Sequence, residues 1–133
     1  MKHSISMLTG PTEFQLNVTG PSLKGSGYFG YTLGQTTVAW YLNDFIGRVY
    51  VEASLATNPR DHDWFPLNLA GLNPYVQYPI NPLAPTGTTG DSGIDSYTFQ
   101  GNFCYIRIRI DRTYLINPNP DDVGSIDKAL MNY

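Results

Sequence analysis

The sequence is poor in charged residues, in cysteine and in long apolar runs, and each shortage argues against a class of protein. Only 14% of the 133 residues are charged, against about 25% in average globular proteins. The eight Lys and Arg residues form no cluster that would neutralise nucleic-acid phosphates, and no apolar run approaches the roughly 18 residues that span a bilayer. Cys104 is the only cysteine, so no intrachain disulfide can form. We therefore expect no nucleic-acid or membrane partner, no cofactor and no metal.

Aromatic residues, glycine and proline are plentiful. Ten Tyr, six Phe and two Trp make up 14% of the chain, which also holds thirteen Gly and ten Pro. Glycine and proline favour tight turns, and aromatic residues favour strands. The first ten residues lack the apolar segment of a signal peptide. We expect synthesis in a reducing cytoplasm and a fold of short strands joined by turns.

Alternation of apolar and polar residues predicts the strands. The two clearest are residues 48–55 and 103–111, whose expected core faces are Val49, Val51, Ala53 and Leu55, and Cys104, Ile106, Ile108 and Ile110. Weaker patterns predict further strands at residues 14–18, 38–42, 64–67 and 125–133, with Pro66 favouring a sheet edge. No helix is long enough for a crossover between parallel strands. The sequence predicts one all-β domain over residues 1–133, an antiparallel β-sandwich or jelly roll.

Residues 71–96 differ from the rest because they contain four prolines within a short span, at positions 74, 79, 82 and 85. Proline removes a backbone donor, so this stretch is predicted to be an extended arm and not a central strand. Its apolar side chains would be costly to leave in water, and we expect a neighbouring subunit to cover them. The expected contact residues are Tyr75, Val76, Tyr78, Ile80 and Leu83.

The sequence offers little catalytic chemistry. The only cluster of acids and histidine, at residues 61–63, is expected on a solvated hairpin loop, since neighbouring residues of an extended loop point in different directions. Cys104 is expected in the core, away from any base that would activate it. No catalytic triad or phosphate-binding loop is evident, so an enzyme is not expected.

Arg107 and Arg109 lie on the same face of one predicted strand. They either bind an anion or a partner's carboxylates, or pair across the sheet with Glu52, and the pairing with Glu52 is favoured. Exposed tyrosines are further candidates for contact, either by stacking on sugar rings or by anchoring a protein interface. The sequence leaves this choice open for Tyr50, Tyr75, Tyr78 and Tyr105.

Residues 45–67 and 101–111 carry a family resemblance. A strand ending in Ala-Ser-Leu, a loop with Asn-Pro and acids, Trp-Phe, and later Gly-Asn-Phe-x-x-Ile-Arg resemble small virion structural proteins of tailed bacteriophages, particularly T4-like phages of marine bacteria. The ending at residues 124–133 is similar to their C-termini, and the likeness spans residues 35–133 apart from the Pro-rich arm.

The resemblance implies a β-sandwich without catalytic residues that decorates the capsid or forms part of the neck, tail or baseplate. Its expected partners are other virion proteins and further copies of itself, and its expected location is the virion. A strand, a Trp and another strand also resemble discoidin-like and carbohydrate-binding sandwiches. The alternative is therefore a carbohydrate-binding module that adsorbs to host polysaccharide.

Overall fold

The structure, a computed structural model, describes residues 4–13, 15–30, 34–69, 71, 73–80 and 90–133. These residues form ten β-strands and one short 3₁₀ helix, Asp61–Asp63. The strands are β1 (Ile5–Ser6), β2 (Val18–Thr19), β3 (Leu23–Lys24), β4 (Gln35–Phe45), β5 (Gly47–Ser54), β6 (Phe65–Pro66), β7 (Val76–Tyr78), β8 (Asp91–Gln100), β9 (Tyr105–Asp111) and β10 (Ser125–Asn132).

The first sheet has the order β1-β10-β4-β8, and every pair in it is antiparallel. Trp40 in β4 lies opposite Ala129 of β10 on one side and Asp95 of β8 on the other. The pairing of β4 shifts register between Leu42 and Phe45, where Asp44 has a positive φ of 51°. The chain then passes through Ile46 into β5 of the second sheet.

The second sheet is built on the antiparallel pair of β5 and β9, with Val51 opposite Ile108. Two short strands cover each outer side of this pair. Strands β2 and β3 both pair with β9, and β6 and β7 both pair with β5. As expected for the residues around Pro66, β6 lies at the edge of the sheet.

One hydrophobic core lies between the two sheets, because alternate residues of their central strands face each other. The inward residues are almost fully buried, including Val38, Trp40, Val49, Val51, Ala53, Ile106, Ile108, Ile110, Ala129 and Met131. The predicted all-β antiparallel sandwich is confirmed, whereas a jelly-roll connection stays a prediction.

Three local expectations are wrong. Leu55 is 64% exposed, because β5 ends at Ser54 and the alternation ends with it. Cys104 is only half-buried, since β9 begins at Tyr105 and the backbone N–H of Cys104 instead donates to the carbonyl of Ser54 (3.0 Å). The strand expected at residues 14–18 is reduced to β2, which begins at Val18; residue 14 lies outside the described part of the chain.

The extended arm predicted at residues 71–96 is also corrected. Residues 76–78 form β7, which pairs with β5, and residues 91–96 belong to β8, which pairs with β4. Prolines 74 and 79 flank β7 without entering it, so the three residues of β7 keep the donors that pairing needs. Residues 81–89 of the expected arm lie outside the described residues.

A buried polar chain connects β4, β7 and β8. The indole N–H of Trp40 donates to the hydroxyl of Tyr78 (2.8 Å), which donates to the carboxylate of Asp95 (2.5 Å). The hydroxyl of Tyr97 donates to the same carboxylate oxygen (3.3 Å). Burial and the neighbouring Asp95 raise the pKa of the Tyr78 hydroxyl, so it remains a donor. This chain fixes β7 against the first sheet.

Arg112 is the largest buried cation, and its guanidinium is held by backbone carbonyls. It donates to the carbonyls of Ile46 (2.7 Å), Gln15 (2.7 Å), Val123 (3.0 Å) and Gly124 (3.1 Å). The side chain is 1% exposed, and burial lowers its pKa to about 10, which leaves it charged at neutral pH. One side chain thus ties together the segments that precede β2, β5 and β10.

Candidate interaction surface

The outer face of the second sheet gathers the charged and aromatic residues of β5 and β9. Because alternate residues of a strand point to opposite faces, the sequence neighbours of the buried Val and Ile residues point outward. The pairing sets Arg48 opposite Asp111, Tyr50 opposite Arg109, and Glu52 opposite Arg107.

Glu52 is the centre of an ion-pair network on this face. Its two carboxylate oxygens accept from the Nε atoms of Arg107 (2.9 Å) and Arg109 (3.2 Å), and its residue exposure is 7%. The cross-strand pairing with Glu52 that the sequence favoured is therefore confirmed. Arg109 also contacts Asp111 through Nη1 (3.5 Å), so both carboxylates orient an arginine.

Asp111 carries a perturbed carboxylate. Burial acts to raise its pKa, but hydrogen bonds from Thr113 and the charge of Arg109 outweigh burial and lower the pKa below its ordinary value. The backbone N–H of Thr113 donates to Oδ1 of this carboxylate (2.8 Å). Asp111 is therefore ionised at neutral pH and holds the end of β9 to the turn that follows.

Each outward arginine lies over an aromatic ring. The centre of the Arg107 guanidinium is 4.2 Å from the ring centroid of Trp64, and that of Arg109 is 3.9 Å from Tyr50. Arg48 lies between two rings, 4.3 Å from Tyr75 and 4.1 Å from Tyr114. Distances of this size are typical of cation–π contacts, so stacking fixes each guanidinium group.

Further contacts join these stacks into one array. The rings of Tyr50 and Tyr75 are 5.5 Å apart, and Arg48 donates from Nε to the side-chain oxygen of Gln77 (2.9 Å). We define the aromatic–arginine face as the set Arg48, Tyr50, Glu52, Trp64, Tyr75, Arg107, Arg109 and Tyr114. It extends across β5 and β9 and includes residues from the loops and short strands beside them.

The structure separates the site residues expected from the sequence. Tyr75 joins the aromatic–arginine face together with Arg107 and Arg109. Val76 and Tyr78 are 5% and 1% exposed, so the expectation that they contact a partner is wrong, because both fill the core. Ile80 is 62% exposed, and Leu83 lies outside the described residues.

Several residues of this face were missed by sequence reasoning. Trp64 and Tyr114 lie outside β5 and β9, the strands that carry the arginines. The alternation of residues along these strands therefore does not indicate that the two rings stack on arginine side chains. Arg48 was missed although it occupies a polar-side position of a clear strand, whereas Tyr50 on the same side was already a candidate contact residue. The acid–histidine cluster forms the short 3₁₀ helix Asp61–Asp63 and not the expected extended loop; Asp61 and His62 are exposed, and His62 lies 3.6 Å from the half-buried Asp63.

A shallow depression of about 450 Å³ borders the aromatic–arginine face beside β7. Its wall combines two aromatic rings with two side-chain amides and apolar residues. The lining residues are Asn73, Tyr75, Val76, Gln77, Pro79, Ile80 and Tyr97. Such a mixture of rings and amides suits a small polar ligand as well as a protein side chain.

The described part of the chain contains no group of three or more His, Cys, Asp or Glu residues placed to hold a metal ion. None of its helices has the length and apolar character to cross a membrane. Comparisons with protein-family models, with curated proteins and with solved structures find no significant match. The function must therefore be inferred from the chemistry of the chain's own residues.

Proposed function

We propose that the chain is a non-enzymatic structural protein of a bacteriophage virion that docks on another virion protein through the aromatic–arginine face. The observation that carries the proposal is the preformed array of Trp, Tyr and Arg side chains across β5 and β9. These residue types dominate the energetic centres of protein interfaces. The resemblance to virion proteins supports the same conclusion, because its two segments contain β5, β6 and β9.

The side chains of this face are held in fixed positions, which favours docking on a rigid partner. Glu52 holds two of the arginines, and aromatic rings hold all three, so little side-chain freedom is lost when the face is covered. The half-buried rings leave apolar edges for contact, while unused guanidinium donors suit carbonyls or carboxylates of the partner.

The test measures incorporation into particles. Purified particles assembled without this chain are mixed with the wild-type protein or with the double variant Tyr50→Ala, Tyr75→Ala, and bound protein is quantified after sedimentation. We expect the double variant to bind about tenfold more weakly or worse, as loss of interface anchors does.

The matched control is Tyr41→Ala. Tyr41 is also a half-buried tyrosine with a cation over its ring, Lys128 at 4.4 Å, but it lies on the first sheet. The Tyr41→Ala variant should bind particles as the wild-type protein does. Equal binding by the double variant and the wild type would contradict the docking face. Failure of the wild-type protein to bind any particle component would contradict the virion function.

The depression beside β7 favours a second candidate function, carbohydrate binding. Tyr75 and Tyr97 offer ring surface, while Asn73 and Gln77 offer amide donors and acceptors, a combination that suits sugar rings. Retention of the wild-type protein, but not of Asn73→Ala, on a host-polysaccharide column would favour this function. Passage of both proteins without delay would exclude it for that polysaccharide.

A further inference from the structure

The four outer sides of the two sheets differ in how well they are protected. On the first sheet, β1 is only two residues long; on the second, the outer sides of β9 and β5 are occupied by short strands of two or three residues. Short and interrupted edges of this kind prevent pairing with other chains. The fourth side is β8, a continuous strand of ten residues.

Strand β8 pairs with β4 on one side, and no described residue pairs with its other side. Proline, lysine and arginine, which commonly protect edges, do not occur between Asp91 and Gln100. Its exposed positions are uncharged: Ser92, Gly93, Ile94, Ser96, Thr98 and Gln100. Because one side of β8 is unpaired, every second residue presents its backbone N–H and C=O groups along an open edge.

We propose that β8 pairs with β8 of a second copy of this chain, in antiparallel orientation about a two-fold axis, so that the two first sheets form one continuous sheet. The inference rests on β8 alone and is independent of the function proposed above. Each copy has one such edge among its described strands, so pairing covers both edges and the assembly closes as a dimer.

Symmetry and charge select the register of this pairing. In a symmetric antiparallel pair one residue lies opposite its own copy, and the overlap is longest, at nine residues, when that residue is Asp95 or Ser96. A centre at Asp95 would set two carboxylates directly opposite each other, which is destabilising. A centre at Ser96 instead sets Asp95 opposite Tyr97, and Ile94 opposite Thr98, of the other copy.

This register has a direct test by cross-linking. Two single-cysteine proteins, Ser96→Cys and Ser92→Cys, are prepared with Cys104→Ser and treated with a short bismaleimide. Directly opposite side chains lie about 5 Å apart, whereas the two copies of residue 92 would be about 26 Å apart, given eight residues of strand rise. We expect a cross-linked dimer from the first protein only. A dimer from the second alone, or from neither, would overturn the proposal.

The second measurement is the dimer dissociation constant by analytical ultracentrifugation. The variant Ile94→Lys with Thr98→Lys places like charges opposite each other twice, and we expect about tenfold weaker association or worse. The control variant, Ile116→Lys with Thr57→Lys, adds the same two charges at exposed loop positions and should leave the dimer intact. A monomeric wild-type protein, or equal dissociation constants for the two variants, would overturn the proposal.

Discussion

Replacing Arg112 by methionine is the most informative single change to the fold. Methionine keeps much of the apolar length of the side chain but removes the guanidinium and its five donors. Four backbone carbonyls, those of Gln15, Ile46, Val123 and Gly124, then lose a donor at the same time. The contact of the guanidinium with the ring of Phe45, at 4.5 Å, is lost as well.

The size of the effect follows from these contacts. A buried acceptor left without a donor costs about 1–3 kcal/mol. The carbonyl of Val123 keeps the backbone N–H of Ile46 as a donor (2.9 Å), and water reaching the part-buried carbonyls restores some of the loss at the others. We expect a loss of about 3–5 kcal/mol in total, since each hydrogen bond to a charged donor contributes about 1.5–3 kcal/mol before water restores part of it. Arg112→Lys should lose less, because it keeps the charge, although an ammonium group cannot span the same four acceptors.

The assay is equilibrium unfolding in urea, and the control is Arg60→Met on the exposed loop. That substitution should change the free energy of unfolding by less than about 0.5 kcal/mol, as most surface changes do. A loss below about 1 kcal/mol for Arg112→Met, or a loss equal to that of Arg60→Met, would refute the reasoning. It would mean that water replaces the guanidinium as the donor to these carbonyls at little cost.

Three further predictions concern the core and β9. Ile108→Ala should cost about 2–5 kcal/mol in urea unfolding, and Arg109→Ala clearly less; equal losses would mean that the faces are assigned wrongly. Tyr78→Phe should cost about 1–3 kcal/mol, because the N–H of Trp40 loses its acceptor; no loss would contradict the buried polar chain. Because the folded-state pKa of Asp111 lies below its ordinary 3.8, its carboxylate stabilises the fold above about pH 4 and this contribution is lost as the pH falls through the lower value. The stability difference between wild type and Asp111→Asn should therefore be present at pH 6 and shrink as the pH is lowered into the acid range; a difference that does not depend on pH would contradict this.

The core of the sandwich could be predicted because its central strands alternate strictly. Val49 and Ile108 sit where alternation places them, since both strands are half-buried and a shift of one residue would reverse their faces. Strand β8 could not be predicted in this way, because it contains Gly93, Asp95 and two serines. It is stabilised by the half-buried rings of its own Tyr97 and Phe99 and by pairing with β4, and the pairing is a property of its neighbour.

The candidate site was predictable only where it follows one strand. Arg107 and Arg109 share a face by spacing alone. Glu52 is recognisable as their partner because β5 shows the same alternation of polar and apolar residues. The stacking of Trp64 and Tyr114 depends on how a loop and a turn fold back over the sheet. Such contacts depend on distances between residues far apart in sequence, which periodicity does not report.

The order of strands in the first sheet affects how the chain folds during synthesis. Strand β10, made last of the ten, lies between β1 and β4, with Ile5 opposite Met131. Until residues 125–132 leave the ribosome, β4 lacks the neighbour on that side and β1 has no strand to pair with. Half of this sheet therefore depends on pairing between segments far apart in sequence, which forms slowly, and until then the nascent chain leaves one side of β4 unpaired.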